Sequence, residues 1–196
     1  MAIKLAVAAL ILLAALGTFI ATRPDRFSIE RHALVQASPA VVFAMINDLR
    51  QFDAWSPYRF ELAPGLSKSF EGPATGQGAS YTWEGGSKAG AGRMTLVESR
   101  PSERVVLKLE FFKPFAATNQ TVFTLAPVEG GTRVSWRMEG ENTLMGKAFS
   151  LVVNMDTMLG KDFERGLANL DAAARSGTQA DSQRAQAGTA TPASAL

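Results

Sequence analysis

The chain has no cysteine and only one histidine in 196 residues. The first absence removes disulfides, thiolate metal sites and cysteine nucleophiles, although it does not choose between cytoplasm and periplasm. The second leaves the common metal centres without ligands, so neither a metal nor a cofactor is expected. An excess of one charge is also missing: 20 Lys and Arg stand against 18 Asp and Glu, with no basic cluster to track phosphates. Nucleic acid is therefore not an expected partner. The glycines between positions 72 and 92 do not lead into a helix with Lys-Ser/Thr, so they are not a phosphate loop. No nucleophile–base pair or carboxylate pair stands out and no catalytic residue is assigned, so enzymatic activity is left open with the balance toward none. What is present is 46% hydrophobic residues and 19% charge, enough for one core of ordinary size.

The two ends differ from the middle. From Leu5 to Ala21 no residue is charged. At about 1.5 Å per residue this run reaches roughly 25 Å, and with Thr22 added it can just span a bilayer. A cleaved signal peptide is the competing reading, supported by Lys4 but opposed by the length of the run and by the lack of a clean Ala-x-Ala site near Ile20 and Ala21. The expected location is the membrane, by a single N-terminal pass, or else the periplasm or exterior after cleavage. Lys4 and the amino terminus balance Arg23 and Arg26, so charge does not choose an orientation. At the other end, Ser176 to Leu196 has almost no large apolar residue to offset ordering entropy and reads as a disordered tail. The organisation is residues 1–25 anchor (or signal) and linker, 26–175 domain, and 176–196 tail.

The domain reads as strands followed by a helix. Phe27 to Gln36 alternates, with Phe27, Ile29, Arg31, Ala33 and Val35 on one face and His32 on the opposite, solvent side. Ser38-Pro39 begins a short helix with Val42, Phe43, Ile46 and Leu49 as its stripe, and a second short turn runs from Leu49 to Trp55. Ala63 to Gly78 holds one weak strand, Leu66 to Glu71, and Gly85-Gly86 makes a turn. Stronger strands follow at 79–84, 90–99, 104–112, 115–126 and 132–140. One long amphipathic helix is expected from Thr143 to Leu170, with Met145, Ala148, Phe149, Val152, Met155, Asp156, Leu159, Phe163, Leu167 and Leu170 on its apolar side.

The segments Ala37-Ser38-Pro39-Ala40-Val41-Val42-Phe43, Asn47-Asp48-Leu49, Trp55-Ser56-Pro57, Gly130-Gly131-Thr132-Arg133-Val134-Ser135-Trp136 and Asp162-Phe163-Glu164-Arg165-Gly166-Leu167, in this order, resemble the SRPBCC superfamily. The nearest branch looks like the bacterial polyketide cyclase/dehydrase and lipid transport group of START-like proteins, over roughly Arg26 to Ala173. The resemblance implies an α+β helix-grip (START/Bet v 1-like) fold: a curved antiparallel sheet around a long C-terminal helix, with a hydrophobic cavity between them. Because members include carriers and enzymes, it does not by itself assign chemistry.

Strand parity supplies the cavity candidates. They are Tyr81, Trp83, Met94, Leu107, Leu109, Phe111, Phe123 and Trp136 from the sheet, and Met155, Leu159 and Phe163 from the helix. Arg31, Asn119 and Asp156 are polar residues on inward rows; they either orient the polar end of a ligand or satisfy one another. The leading expectation is a membrane-anchored, noncatalytic domain that binds a hydrophobic small molecule or lipid. A cyclase/aromatase or dehydratase would need acid–base groups inside the cavity, for which Tyr81 and Asp156 qualify by parity. A protein-interaction or stress-related module would instead have a filled core and an exposed apolar patch. Nothing in the sequence sets the oligomeric state.

Overall fold

The computed structural model describes residues 1–58, 66–85 and 90–189, the side chains of Met145 and residues 178–189 excepted. Helix α1 (Ala2–Ala21) precedes β1 (Arg26–Val35), α2 (Pro39–Asn47), α3 (Phe52–Trp55), β2 (Ser67–Glu71), β3 (Ser80–Glu84), β4 (Ala91–Arg100), β5 (Arg104–Lys113), β6 (Ala117–Val128), β7 (Gly131–Glu141), α4 (Leu144–Phe149) and α5 (Met155–Thr189). The strands form one antiparallel seven-stranded sheet in the order β1-β7-β6-β5-β4-β3-β2. Each β-connection after β2 is thus a hairpin, and only β1 reaches its neighbour through a long excursion.

Alternation decides which face is buried. Opposite Val134, Trp136 and Met138 on β7 lie Leu125, Phe123 and Thr121 on β6, and all six side chains are buried. The rows expected to face inward do so on β1 and on β3 to β7. Outward positions carry exposed or half-buried charges, including the pairs Lys108–Glu110 and Arg137–Glu139. Helix α5 crosses the inner face. Phe163 lies flat on Trp136 with ring centroids 4.3 Å apart, and Trp55 meets Trp136 edge-on at 5.7 Å. Gly166 permits this approach: a Cβ there would sit 2.6 Å from Trp136 Cζ3 and 2.9 Å from Pro57 Cδ. Trp55-Ser56-Pro57 is therefore a packing anchor that closes the short helices onto the sheet and α5.

Two expectations about the last helical region are corrected. The single helix expected from Thr143 is two helices. Thr143 Oγ1 accepts the Gly146 N–H at 3.2 Å to start α4, and Asn154 Oδ1 accepts the Thr157 N–H at 3.0 Å to start α5. Phe149 and Val152 are exposed rather than in the core stripe, because they lie beyond the end of the inner face. Helix α5 also continues to Thr189, into the stretch expected to be a disordered tail from Ser176. Turns packed as far as Ala174 have already met the cost of nucleation, so each added residue need only propagate the helix. The Gly86 half of the Gly85-Gly86 turn, residues 63–65 of the weak-strand stretch, the Met145 side chain and the end of the tail after Thr189 lie outside the described residues.

Candidate functional site

The inner face is sealed at one end and opens toward the other. Along β5, Leu107 is fully buried, Leu109 slightly less so and Phe111 half-buried; along β7, Val134 gives way to Trp136 and then Met138. On β4 the sealed residue is Leu96 and the less covered one Met94, and on β3 the same step runs from Tyr81 to Trp83. Phe123 on β6 is fully buried and Asn119 half-buried, and Phe163 on α5 is fully buried while Leu159 and Met155 are half-buried. The pairings Asn119↔Gly140, Phe27↔Gly140 and Ala91↔Lys113 put all the less covered positions at the same end of the sheet. The interface between sheet and helix is therefore packed around Trp136 and least covered at the end bordered by Phe27, Phe111, Asn119, Met155 and Leu159, the mouth end.

Asp156, expected on the inward row, is instead exposed, because the first turn of α5 lies past the covered part of the sheet, and the polar residues predicted on these rows divide by what they touch. Arg31 and Asp156 meet each other: Nη1 and Nη2 donate to the two carboxylate oxygens at 3.1 and 3.0 Å, and Nη2 also donates to the Asp156 carbonyl at 3.1 Å. Nε donates to Glu164 at 3.0 Å and Nη1 to the Glu30 carbonyl at 2.8 Å, so all five guanidinium N–H groups are engaged within the protein. The guanidinium crosses Gly160, where a Cβ would overlap it. Its hydrogen bonds to Asp156 and Glu164 hold the Arg31 pKa above the usual value, and the bond to Arg31 holds the Asp156 carboxyl below its own. This is a clamp between β1 and the start of α5, beside the mouth. Asn119 lies over Gly140 next to Phe27, at the rim itself.

A second polar cluster was not visible from parity. Lys68 of the weak strand β2 points inward opposite Trp83, bonds Asp53 of α3 at 2.7 and 2.8 Å, and places its ammonium 4.6 Å from the centre of the Tyr81 ring. Burial pushes the Lys68 pKa down, although Asp53 partly opposes this. Burial first, and then the Asp53 charge, push the Tyr81 phenol up. A phenol held protonated in this way can donate a hydrogen bond but is a poor general base near neutrality. His32 is exposed beside Glu30 on the outer face. Among the described residues no group of His, Asp and Glu could hold a metal ion.

A broad groove of about 1050 Å³ also lies at the mouth end, across the start of β1 and the adjoining ends of β5, β6 and β7. Phe111 and Asn119 border it, but Ser28, Lys108, Glu110, Gln120 and Glu139 give it the outward rows of the sheet. Its lining is mixed, with Phe27, Val97 and Phe112 beside those polar residues, and it includes no residue of α5.

Helix α1 has no buried residue and has the length and composition of a membrane span, which suits either an anchor or a signal sequence. Its end is fixed to the mouth end of the domain. The buried Lys147 of α4 donates to the Ala21 carbonyl at 3.3 Å and to Asp25 at 2.5 Å. Asn142 donates its backbone N–H to the Asp25 carbonyl at 2.7 Å and its side chain to the Pro24 carbonyl at 3.2 Å.

An antiparallel sheet gripping a long helix, with apolar rows between them, defines a helix-grip protein of the START-like kind. Residues 26–175 match the family described as polyketide cyclase / dehydrase and lipid transport, within the SRPBCC superfamily, and the chain belongs to that family. No curated protein matches the chain. Among solved structures it is similar to protein CV1439 from Chromobacterium violaceum, at 18% identity and a TM-score of 0.54 over 75% of this chain and 96% of that one. The KanY protein is similar at 18% identity and a TM-score of 0.55, over 78% and 99% of the two chains. Protein Ms6760 from Mycobacterium smegmatis follows at 16% identity and a TM-score of 0.52, over 76% and 92%. At these identities the likeness concerns the fold.

Proposed function

We propose that this protein is a membrane-anchored, noncatalytic carrier or receptor that holds a hydrophobic small molecule or lipid between the sheet and α5. The observation that carries this reading is the graded burial of the inner rows, packed at Trp136 and thinning to half-buried Phe27, Phe111, Met155 and Leu159. Apolar side chains left partly uncovered on an inward face are the surface that an apolar ligand covers at least cost. Met155 at the mouth repacks easily and suits a ligand of variable shape. The candidate acid–base groups favour binding over turnover, since Asp156 is exposed and paired with Arg31 and Tyr81 is held protonated.

Native mass spectrometry of the full chain extracted from its membrane, with identification of the released molecules, tests this. A bound lipid or apolar metabolite at defined stoichiometry is expected. A chain that is always empty, or that converts an added polyketide-like substrate, would overturn the reading.

A further inference from the structure

The mouth end of the domain carries exposed apolar side chains that neither the core nor α1 covers. Phe112 and Phe115 flank the connection from β5 to β6, with Phe115 69% exposed. Leu144 and Phe149 lie on α4, and Val152, 83% exposed, lies in the connection to α5. These residues are far apart in sequence, yet the antiparallel register places the β5–β6 connection, the start of β1 and the end of β7 side by side. Helix α4 follows directly from β7, so all five side chains belong to the end at which the inner face is least covered. Dispersed single apolar residues on a surface need no explanation, but a set gathered around one opening does.

We infer that this rim is a bilayer-docking surface, whose apolar side chains insert at the headgroup–acyl boundary so that the mouth faces lipid instead of water. The attachment of α1 identifies the occupant. An apolar helix with nothing buried leaves from this same end, and Lys147 and Asn142 bind its last carbonyl and its linker to α4 and β7. With α1 in the hydrocarbon core, α4 cannot swing away: its six residues span only about 9 Å. Phe112, Phe115 and Val152 share this exposed end of the domain, and apolar groups of an interfacial surface enter by about 5–10 Å. Most charges at this end are paired or balanced, with Lys113 on Glu84, Lys147 on Asp25 and Arg26 opposite Glu141, while the Arg23 guanidinium lies over the Phe19 ring and suits the headgroup region. Docking is therefore driven by apolar insertion and needs no anionic lipid.

This inference rests on the reading of the space behind the mouth as a lipid site, and the experiment separates the two. The chain has no cysteine, so Ala116→Cys introduces a single thiol beside Phe115 and leaves the rim intact. An environment-sensitive fluorophore on that thiol is followed in the full chain reconstituted into vesicles of zwitterionic phosphatidylcholine. Glu129→Cys, at the β6–β7 turn on the opposite end, is the control. The expected result is a blue shift at position 116, quenching by a spin label shallow in the acyl chain, little quenching by aqueous iodide, and the reverse pattern at 129. Equal access of iodide to both labels overturns the docking surface, as does protection at 116 that appears only when other membrane proteins are present. If α1 proves to be removed, the mature chain added to preformed vesicles must give the same pattern, and failure to bind them overturns the inference. Mass spectrometry of co-purified lipid on the same variants reports the cavity separately. Lipid retained with an iodide-accessible label sinks docking alone, and an empty chain with a protected label sinks ligand binding alone.

Discussion

Replacing Trp136 with alanine tests whether the floor of the grip is packed core or part of the ligand space. The indole is almost wholly buried, lies flat against Phe163 and meets Trp55 and Phe123 at 5.7 and 5.0 Å. Truncating a buried aromatic of this size costs about 3–5 kcal/mol where the surroundings cannot collapse. Here α5 cannot follow the vacated space freely, because Asn169 donates to the Trp55 carbonyl at 3.1 Å and Asp171 accepts the Gln36 N–H at 2.8 Å. The loss should thus fall in the upper half of that range, a large share of the roughly 5–15 kcal/mol that holds a domain together. Trp136→Phe should cost far less, below about 1.5 kcal/mol, for two reasons. It keeps a ring on Phe163, and it removes an indole N–H that is buried without a hydrogen-bond partner. Urea unfolding of the detergent-solubilised chain, followed by far-ultraviolet circular dichroism, measures both from midpoints at unchanged slope. A cost under about 1.5 kcal/mol for Trp136→Ala would refute the reasoning. The space around Trp136 would then already be open, and the ligand site would extend through the whole grip.

Other perturbations follow from the clamp and the α1 junction. Asp156 has a folded-state pKa below its ordinary 3.8, so its contribution is present above 3.8 and is lost as pH falls through the depressed value. The urea midpoints of the wild type and Asp156→Asn should accordingly differ by a constant amount from neutrality down to about the ordinary carboxylate range, and converge only below it. Convergence well above 3.8 would mean that another group controls the clamp. Lys147→Ala should free the end of α1, and hydrogen exchange at the Asn142 amide, which bonds the Asp25 carbonyl, should accelerate on the order of tenfold with little change at β5. Unchanged exchange there would show that Asn142 alone holds the junction.

Much of the architecture was legible because it follows from short-range rules. Alternation forces one row of each strand inward, so the parity of Tyr81, Trp83, Leu107, Phe123 and Trp136 could be read without knowing their neighbours. The apolar run of α1 is likewise a local property, and the order of motifs indicated the family. Three features depended on distant parts of the chain. The break between α4 and α5 arises because the inner face ends near Leu159, so Phe149 and Val152 continue an amphipathic pattern with nothing to pack against. Lys68 escaped notice because β2 is short and weakly patterned, and its inward direction is set by pairing with β3 and by Asp53 of α3. Arg31 and Asp156 were each recognisable as polar residues on inward rows. That they spend their donors and acceptors on one another across Gly160 was decided by how α5 crosses β1. Periodicity fixes which way a side chain points, but what it meets there is set by strand register and helix crossing. Those in turn depend on the shapes of side chains far away in sequence.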